Sequence, residues 1–475
     1  MALDFNDVAE ISLNQRAGNG EAERHAAPVI SDMSMTIEVI RDVGKFSSLH
    51  DRWNCIAGWS AAAIFQTHEW LFLWWKHFGD GARRSLHILI VRENETIVGI
   101  IPLFMEVHTL FGFELYKRLR LLGCGITNGH SYSPISEYGP SDFLDFIALP
   151  RYQCLVAEMF LKYLDDHPSL CDEITLEYVP DESIVKKELA PLMKAAGTQH
   201  EIRRMDSCPR LNTPPSVEEH LQGLRPAVRR RLQQAHKAIS AAGGSGPETI
   251  TPENLPGAFL DLVALHQGRW NRLGYPGLFQ DPRFELFQSE LWPLLCANGW
   301  IWLKAVCADG VRVAIRMGMI FNERMYDYLS GFDERSPSSK QRPGLGLLLA
   351  MMEDAIRSRC RVIELLRGNE AYKFELTSEF MNSWTIRILN QHSRHAFRSW
   401  LYVVMKFFGD LILRLSKERQ LFVVQIRVHG LTGGLFHYLS FRNAAVTGKV
   451  HSLLKSCRQV PGAADQKIVT SVVEP

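Results

Sequence analysis

The 475-residue chain lacks a dominant charge: 53 lysines and arginines stand against 52 aspartates and glutamates, leaving +1. That balance excludes the global positive field that holds nonspecific nucleic-acid binders on their targets, so any anionic ligand must be met by local groups. Ordered cysteine motifs are missing too. Nine cysteines, an odd number, are scattered from Cys55 to Cys457 without a C-x-x-C pair, which supports neither a zinc knuckle nor a disulfide framework, and no metal is expected. Long apolar runs are also absent. The most apolar late stretch, Leu401 to Leu415, is interrupted by Lys406 and Asp410 and falls short of a bilayer span. Met1 to Ser34 has no charged segment followed by an apolar one and reads as a flexible polar tail rather than a secretion signal. The expected location is the cytoplasm, with the inner face of a membrane as a further option for the late helices.

What is present is the composition of a folded protein, 46% hydrophobic and 22% charged, in a chain about three times the common domain size. Two domains with extensions follow. Thr67 to Phe78 has helical spacing and many aromatics, and reads as core. After it, 86–91 and 96–105 read as two strands around a polar turn at Glu93-Asn94-Glu95. A second copy of this order appears later: strand 300–306, a turn at Ala308-Asp309-Gly310, and strand 311–321. Between the copies, helices are expected at 152–165 and 182–196 around a strand at 173–178, an alternation that favours an α/β class. The stretch 217–239 is helical and basic, with Arg225, Arg229, Arg230 and Arg231 reading as a solvated face because no aromatics interleave them. The expected division is a tail at 1–34, modules at 35–213 and 214–390, and a helical extension with a polar tail at 391–475.

The second module carries the motif. Arg324 to Phe332 reads as a strand, 333–342 as a polar loop, 344–359 as a helix with one apolar stripe, and 361–366 as a short strand. At the loop–helix junction stands Gln341-Arg342-Pro343-Gly344-Leu345-Gly346. A helix N-terminus leaves backbone N–H groups without intrahelical partners and carries partial positive charge, so a glycine-rich approach admits a diphosphate to those donors. The same glycines also suit a helix that merely starts beside a close-packed strand.

This loop resembles the pyrophosphate-binding loop of the GNAT acyltransferase superfamily. Together with His266, Arg269-Trp270, Gly274 to Phe279, Gly331-Phe332-Asp333 and the run Arg367 to Lys373, it resembles the cellulose-biosynthesis acetyltransferase-like, or BioF-two-like, branch. In the first module Phe65-Gln66-Thr67, Trp70, Trp74-Trp75 and Gly99 to Leu103 fit the same branch, which is similar to the Fem-type tandem transferases. The resemblance implies two tandem GNAT-like modules, mixed central sheets flanked by helices, and one cofactor site, in the second module. It implies an acyl-CoA-dependent N- or O-acyltransferase, with acetyl-CoA or a longer thioester held at Gln341, Arg342, Gly344, Leu345 and Gly346. The acceptor would be a surface-polysaccharide precursor or a lipid-like amine. Alternatives are an aminoacyl-tRNA-dependent Fem-like transferase and a silent partner in an exopolysaccharide-synthesis complex; nucleic acid enters only with the first of these.

Acyl transfer needs a base, a carbonyl polariser and a proton for the leaving thiolate. The candidates are Glu370 as base, Tyr372 as acid and His266 as a second choice, with Arg269, Trp270, Arg367 and Lys373 as substrate contacts. Each has a structural alternative: Glu370 as partner of Arg367 or Lys373, Tyr372 as a buried ring with a bonded tip, His266 as a satisfied helical histidine.

Overall fold

The computed structural model describes residues 35–79, 81, 83–125, 139–241, 246–336, 340–368 and 370–390, and, further on, 404, 407, 411, 414–427 and 429–440. The tail expected at 1–34 and much of the extension from 391 lie outside them. In chain order the strands are β1 (Met35–Ile40), β2 (Arg84–Leu86), β3 (Ile88–Glu93), β4 (Thr96–Ile101), β5 (Leu103–Leu110), β6 (Phe113–Leu121), β7 (Ile147–Ala148) and β8 (Glu173–Pro180). They continue with β9 (His200–Asn212), β10 (Glu248–Thr249), β11 (Ile301–Ala308), β12 (Val311–Phe321), β13 (Arg324–Phe332), β14 (Val362–Glu364) and β15 (Phe380–Leu389). The class is mixed α/β, as expected.

Sheet membership departs from the simple repeat. A four-stranded sheet has the order β1-β3-β4-β7, and an eleven-stranded one runs β10-β11-β12-β13-β14-β9-β15-β8-β6-β5-β2. The single strand expected at 96–105 is two strands in different sheets, broken at Pro102. Proline has no N–H to give a ladder, so the chain changes sheets there. The strand expected at 86–91 is likewise broken, at His87, whose N–H reaches Leu103 O at 3.0 Å.

Two strands join the halves: β15, whose Trp384, Ile386 and Ile388 alternate with polar residues, and β9, which has no such alternation. β9 carries Arg203, Arg204, Asp206, Pro209 and Arg210, yet it pairs with both β14 and β15, while β15 in turn pairs with β8. The last strand of each half is thus built into the edge of the other, and a cut at 213/214 falls at the end of a shared strand. Polar groups reinforce this seam: Asn322 Nδ2 donates to Ala57 O, Ser60 O and Ala62 O at 2.9, 3.2 and 3.0 Å.

The helices that matter for the site are α1 (His68–Trp74), α2 (Pro226–Ala241), α3 (Leu255–Arg272), α4 (Pro282–Ala297), α5 (Pro343–Arg357) and α6 (Ala371–Leu376). The basic stretch expected as one helix at 217–239 is two, because Pro226 cannot continue a helix but suits the first turn of α2. In α1 the aromatics are core: Trp70 and Trp74 are fully buried, and each such ring contributes on the order of 2–3 kcal/mol by leaving water. Their polar edges are satisfied, Trp70 Nε1 on Ser141 Oγ (2.8 Å) and Trp74 Nε1 on Cys124 O (3.1 Å). Trp70 and Phe65 also meet Tyr328 and Tyr326 of β13 edge to face, with centroids 5.5 and 5.6 Å apart. The aromatic helix of the first half therefore backs the strand on which the candidate site is built.

Candidate active site

The site begins with a parting of strands. β13 pairs in parallel with β14 only at Arg324–Tyr326, against Val362–Glu364, so its remaining residues have no partner on that edge. On its other edge the register with β12 slips: Met317 faces Leu329 and Gly318 faces Asp327, leaving Tyr328 as the extra residue of a bulge. A bulge bends its strand and re-aims side chains. The result is a gap between the C-terminal half of β13 and the turn after β14.

Helix α3 closes one side. At Gly331 a Cβ would stand 2.7 Å from His266 N and 2.8 Å from Leu265 Cβ, so only glycine lets α3 lie this close to β13. That approach sets His266, Arg269 and Trp270 along the gap. The turn after β14 closes the other side, with Arg367, Glu370, Tyr372 and Lys373. All seven line one cavity of about 470 Å³, together with Asp142, Asp206, Asp327, Tyr328 and Ser330. Catalytic and acceptor candidates separated by about a hundred positions of sequence are thereby brought together.

Their roles divide once geometry is known. Lys373, expected as a substrate contact, is buried and gives its ammonium to Arg367 O (2.9 Å), Leu366 O (3.5 Å) and Glu370 Oε2 (3.1 Å), which ties the turn together. Arg367 is held by Asp142 (2.9 Å), Gly139 O (3.0 Å) and Ser141 O (2.9 Å), and lies 4.4 Å from the Tyr178 ring centroid. Both cations are occupied by the protein itself. Glu370 is about a third exposed at the mouth, beside Lys373.

Tyr372 faces a buried pair that sequence reasoning missed. Arg316 of β12 and Asp327 of β13 are joined at 2.6 Å, both almost inaccessible, and the Arg316 guanidinium sits 5.9 Å from the Tyr372 ring centroid. Burial, with the Asp327 carboxylate adding to it, pushes the Tyr372 phenol above its usual range, against the opposing pull of Arg316. The hydroxyl therefore keeps its proton at neutral pH. Burial lowers His266 to about 4, so its imidazole is neutral; its Nδ1 lies 3.3 Å from Gln267 Oε1, and its ring meets Phe279 edge to face. Burial raises Asp142, with Arg367 pulling the other way.

The far end of the gap leads to α5. Arg269 stacks over Phe332, 4.7 Å from its centroid, and the Phe332 ring is 3.6 Å from where a Cβ of Gly344 would stand. Gln341 and Arg342 are exposed beside Gly344, and Arg342 is left-handed, with φ 55° and ψ 57°. The amides of Leu345 and Gly346 turn back onto Arg342 O, at 2.9 and 3.3 Å. Gly346 is buried against α2, where a Cβ would stand 2.8 Å from Ala235 O. The two glycines of the motif thus answer different needs: Gly344 lies against the Phe332 ring, and Gly346 allows a helix crossing.

In the first half the corresponding gap, beyond the short β6–β8 pairing at Arg118–Arg120, is crossed by the protein's own chain. Leu144 N–H bonds Tyr178 O of β8 at 3.0 Å, and Asp142 and Ser141 lie alongside. Among the described residues no group of three or more His, Cys, Asp or Glu is placed to hold a metal ion, and no helix is long and apolar enough to cross a membrane.

Residues 227–374 match the sequence profile of an acetyltransferase (GNAT) domain. In fold the chain is similar to FemX at a TM-score of 0.51, with 10% identity over 74% of this chain and 98% of that one. L-PGS from Bacillus licheniformis aligns at a TM-score of 0.42 with 10% identity, covering 77% of this chain and 97% of that one. A tandem GNAT protein from the clavulanic acid biosynthesis pathway aligns at 0.34 with 12% identity, covering 75% and 98%. No curated protein matches the chain in sequence.

Proposed function

We propose that the chain, whose residues 227–374 match an acetyltransferase (GNAT) domain, is an acyltransferase of that type and that its donor is an acyl-coenzyme A bound in the gap between β13 and β14. The observation that carries this reading is the 470 Å³ cavity between unzipped strands, lined by Tyr372 and Glu370 and by Arg269, which stacks on Phe332 beside Gly344 at the mouth of α5. A diphosphate would lie at Gln341, Arg342 and Gly344, and the pantetheine arm would run along the free edge of β13 past Ser330. An extended arm with amide groups suits a strand edge, whose unpaired N–H and C=O groups are ready to bond it.

The chemistry then falls to few groups. Glu370, partly buried at the mouth, takes the proton of the attacking acceptor. Backbone N–H groups at the Tyr328 bulge lie where the thioester oxygen gains charge, and such donors stabilise the tetrahedral intermediate in a water-poor site. Tyr372 gives its proton to the leaving thiolate, for which a phenol that stays protonated is suited. His266 supports the wall of the cavity. The acceptor belongs to the surface-polysaccharide precursors or lipid-like amines that the branch resemblance implies.

Calorimetry tests the donor. Coenzyme A should bind the wild type, and Gly344→Trp, which fills the space beside Phe332 without straining the backbone, should weaken binding tenfold or more. No heat with the wild type would discard the thioester reading.

A further inference from the structure

The near-neutral charge of the chain hides a division. Between 391 and 460 stand eleven lysines and arginines against two acids, Asp410 and Glu418, so the rest of the chain is net acidic. The described part of this stretch contains two helices, α7 (414–427) and α8 (429–440). They form an antiparallel hairpin. Gly430 turns with φ 72°, and a Cβ on Gly434 would stand 2.6 Å from Ile426 Cα. The Tyr438 ring meets Phe422 edge to face at 5.3 Å, and its hydroxyl donates to Glu418 Oε2 at 2.7 Å.

One side of the hairpin is taken up by the protein. Leu421, Val424 and Gln425 of α7 are buried, and a Cβ on Gly274 would stand 1.5 Å from Gln425 Nε2, so α7 is seated on the turn that follows α3. The opposite side is left exposed. The two helices touch at Glu418, Phe422 and Ile426 on α7 and at Gly434 and Tyr438 on α8. One residue past these, about 100° round each helix, stand Arg419, Val423 and Arg427 on α7 and Leu435 and Leu439 on α8, with Leu431 one turn earlier. Because the helices run antiparallel, both rotations open to the same side. All six residues are exposed, Leu431 by 75%. Phe407, Leu411 and Leu415, exposed as well, continue the four-residue spacing of the α7 row toward its start. Arg419 and Arg427 form no ion pair among the described residues, and both wall a recess of about 440 Å³ beside Gln280.

We infer that this face of the hairpin is a docking surface for a bilayer of acidic phospholipids, on which the protein lies without crossing it. Leucine and valine side chains enter the boundary between headgroups and acyl chains, while arginines beside them bond headgroup phosphates. The local excess of positive charge is what selects this occupant: acidic lipids bring the opposite charge, whereas a second copy of the chain would bring the same excess to the contact. The inference is independent of the donor reading, since none of these residues lines the cavity between β13 and β14.

Sedimentation of the full chain with vesicles is the test. Vesicles of equal parts phosphatidylglycerol and phosphatidylcholine should bind at least tenfold more tightly than phosphatidylcholine alone, and added salt should weaken that binding. Arg419→Glu with Arg427→Glu, and separately Leu431→Ser with Leu435→Ser, should each weaken it tenfold or more. All four positions are exposed, so the melting curve of both variants should match the wild type, and each pair tests the face without the other. Three results would overturn the inference: equal or no binding to the two kinds of vesicle, a folded arginine variant that keeps its affinity for acidic vesicles, or a wild-type dimer that Leu431→Ser with Leu435→Ser converts to monomer, which gives the face to a second copy.

Discussion

Replacing Tyr372 with phenylalanine removes one oxygen and leaves the ring in place. The hydroxyl is held beside Arg316, and a hydrogen bond to a charged partner contributes about 1.5–3 kcal/mol, so a modest loss of stability is expected. The catalytic loss should be larger and of another kind. A positioned general acid contributes roughly 10²–10⁴-fold, and at about 1.36 kcal/mol per tenfold the lower bound corresponds to about 2.7 kcal/mol of barrier. Because burial and Asp327 keep the phenol protonated, the wild-type kcat should show no fall from tyrosine ionisation near its ordinary value of about 10. Steady-state thiol release, with coenzyme A affinity measured in parallel, separates the effects. The expected result is kcat lower by a hundredfold or more with coenzyme A affinity within twofold. A folded Tyr372→Phe protein that keeps kcat within twofold would refute the assignment of the proton donor.

Gly346→Val should destabilise by about 1–3 kcal/mol through overpacking against Ala235, read as a lower urea midpoint. Arg367→Met should cost about 3–5 kcal/mol, because it leaves Asp142 buried and unpaired at the seam of the two halves; adding Asp142→Asn should recover much of this in the same urea titration. Burial lowers His266 in the folded state to about 4 from its ordinary value of about 6.5, so protons bind the unfolded chain more readily. Its contribution to stability is present above pH 6.5, is lost as pH falls toward 4, and amounts to a loss of about 2 kcal/mol at pH 5. His266→Leu should therefore show a shallower loss of stability between pH 7 and 5 in urea titrations, and an equal slope would contradict the burial argument.

The elements that show in the sequence are those whose own residues dictate them. The apolar strands about 308–310, the single stripe of α5 and the aromatic run of α1 each carry a period that one element can satisfy by burying one face. The run Arg367 to Lys373 was legible for a similar reason: Glu370 and Lys373 are three residues apart and meet within one helical turn. β9 was not legible, whereas β15 bears a mark in the alternation of Trp384, Ile386 and Ile388. β9 owes its place to strands far away in sequence, and a ladder of backbone hydrogen bonds leaves no mark on side chains. Arg316 and Asp327 were invisible as a pair because each looks like an ordinary strand residue until β12 and β13 align them. Gly344 and Gly346 read as one motif, and only the position of α2 shows that the second serves a crossing of helices.

By itself the sequence determined the α/β class, the recurrence of one order of elements, and a glycine-led helix beside an R-G-x-E-x-Y-K turn. These are short-range matters, fixed by period, turn chemistry and spacing within a few residues. The tertiary structure alone decided that β13 and β14 part after three paired residues, that Arg367 and Lys373 are engaged by the protein, and that Asp206 of β9 lines the same cavity. A cavity is bounded by groups distant along the chain, and its charge depends on which of them already hold a partner, so neither could be read before the chain was folded.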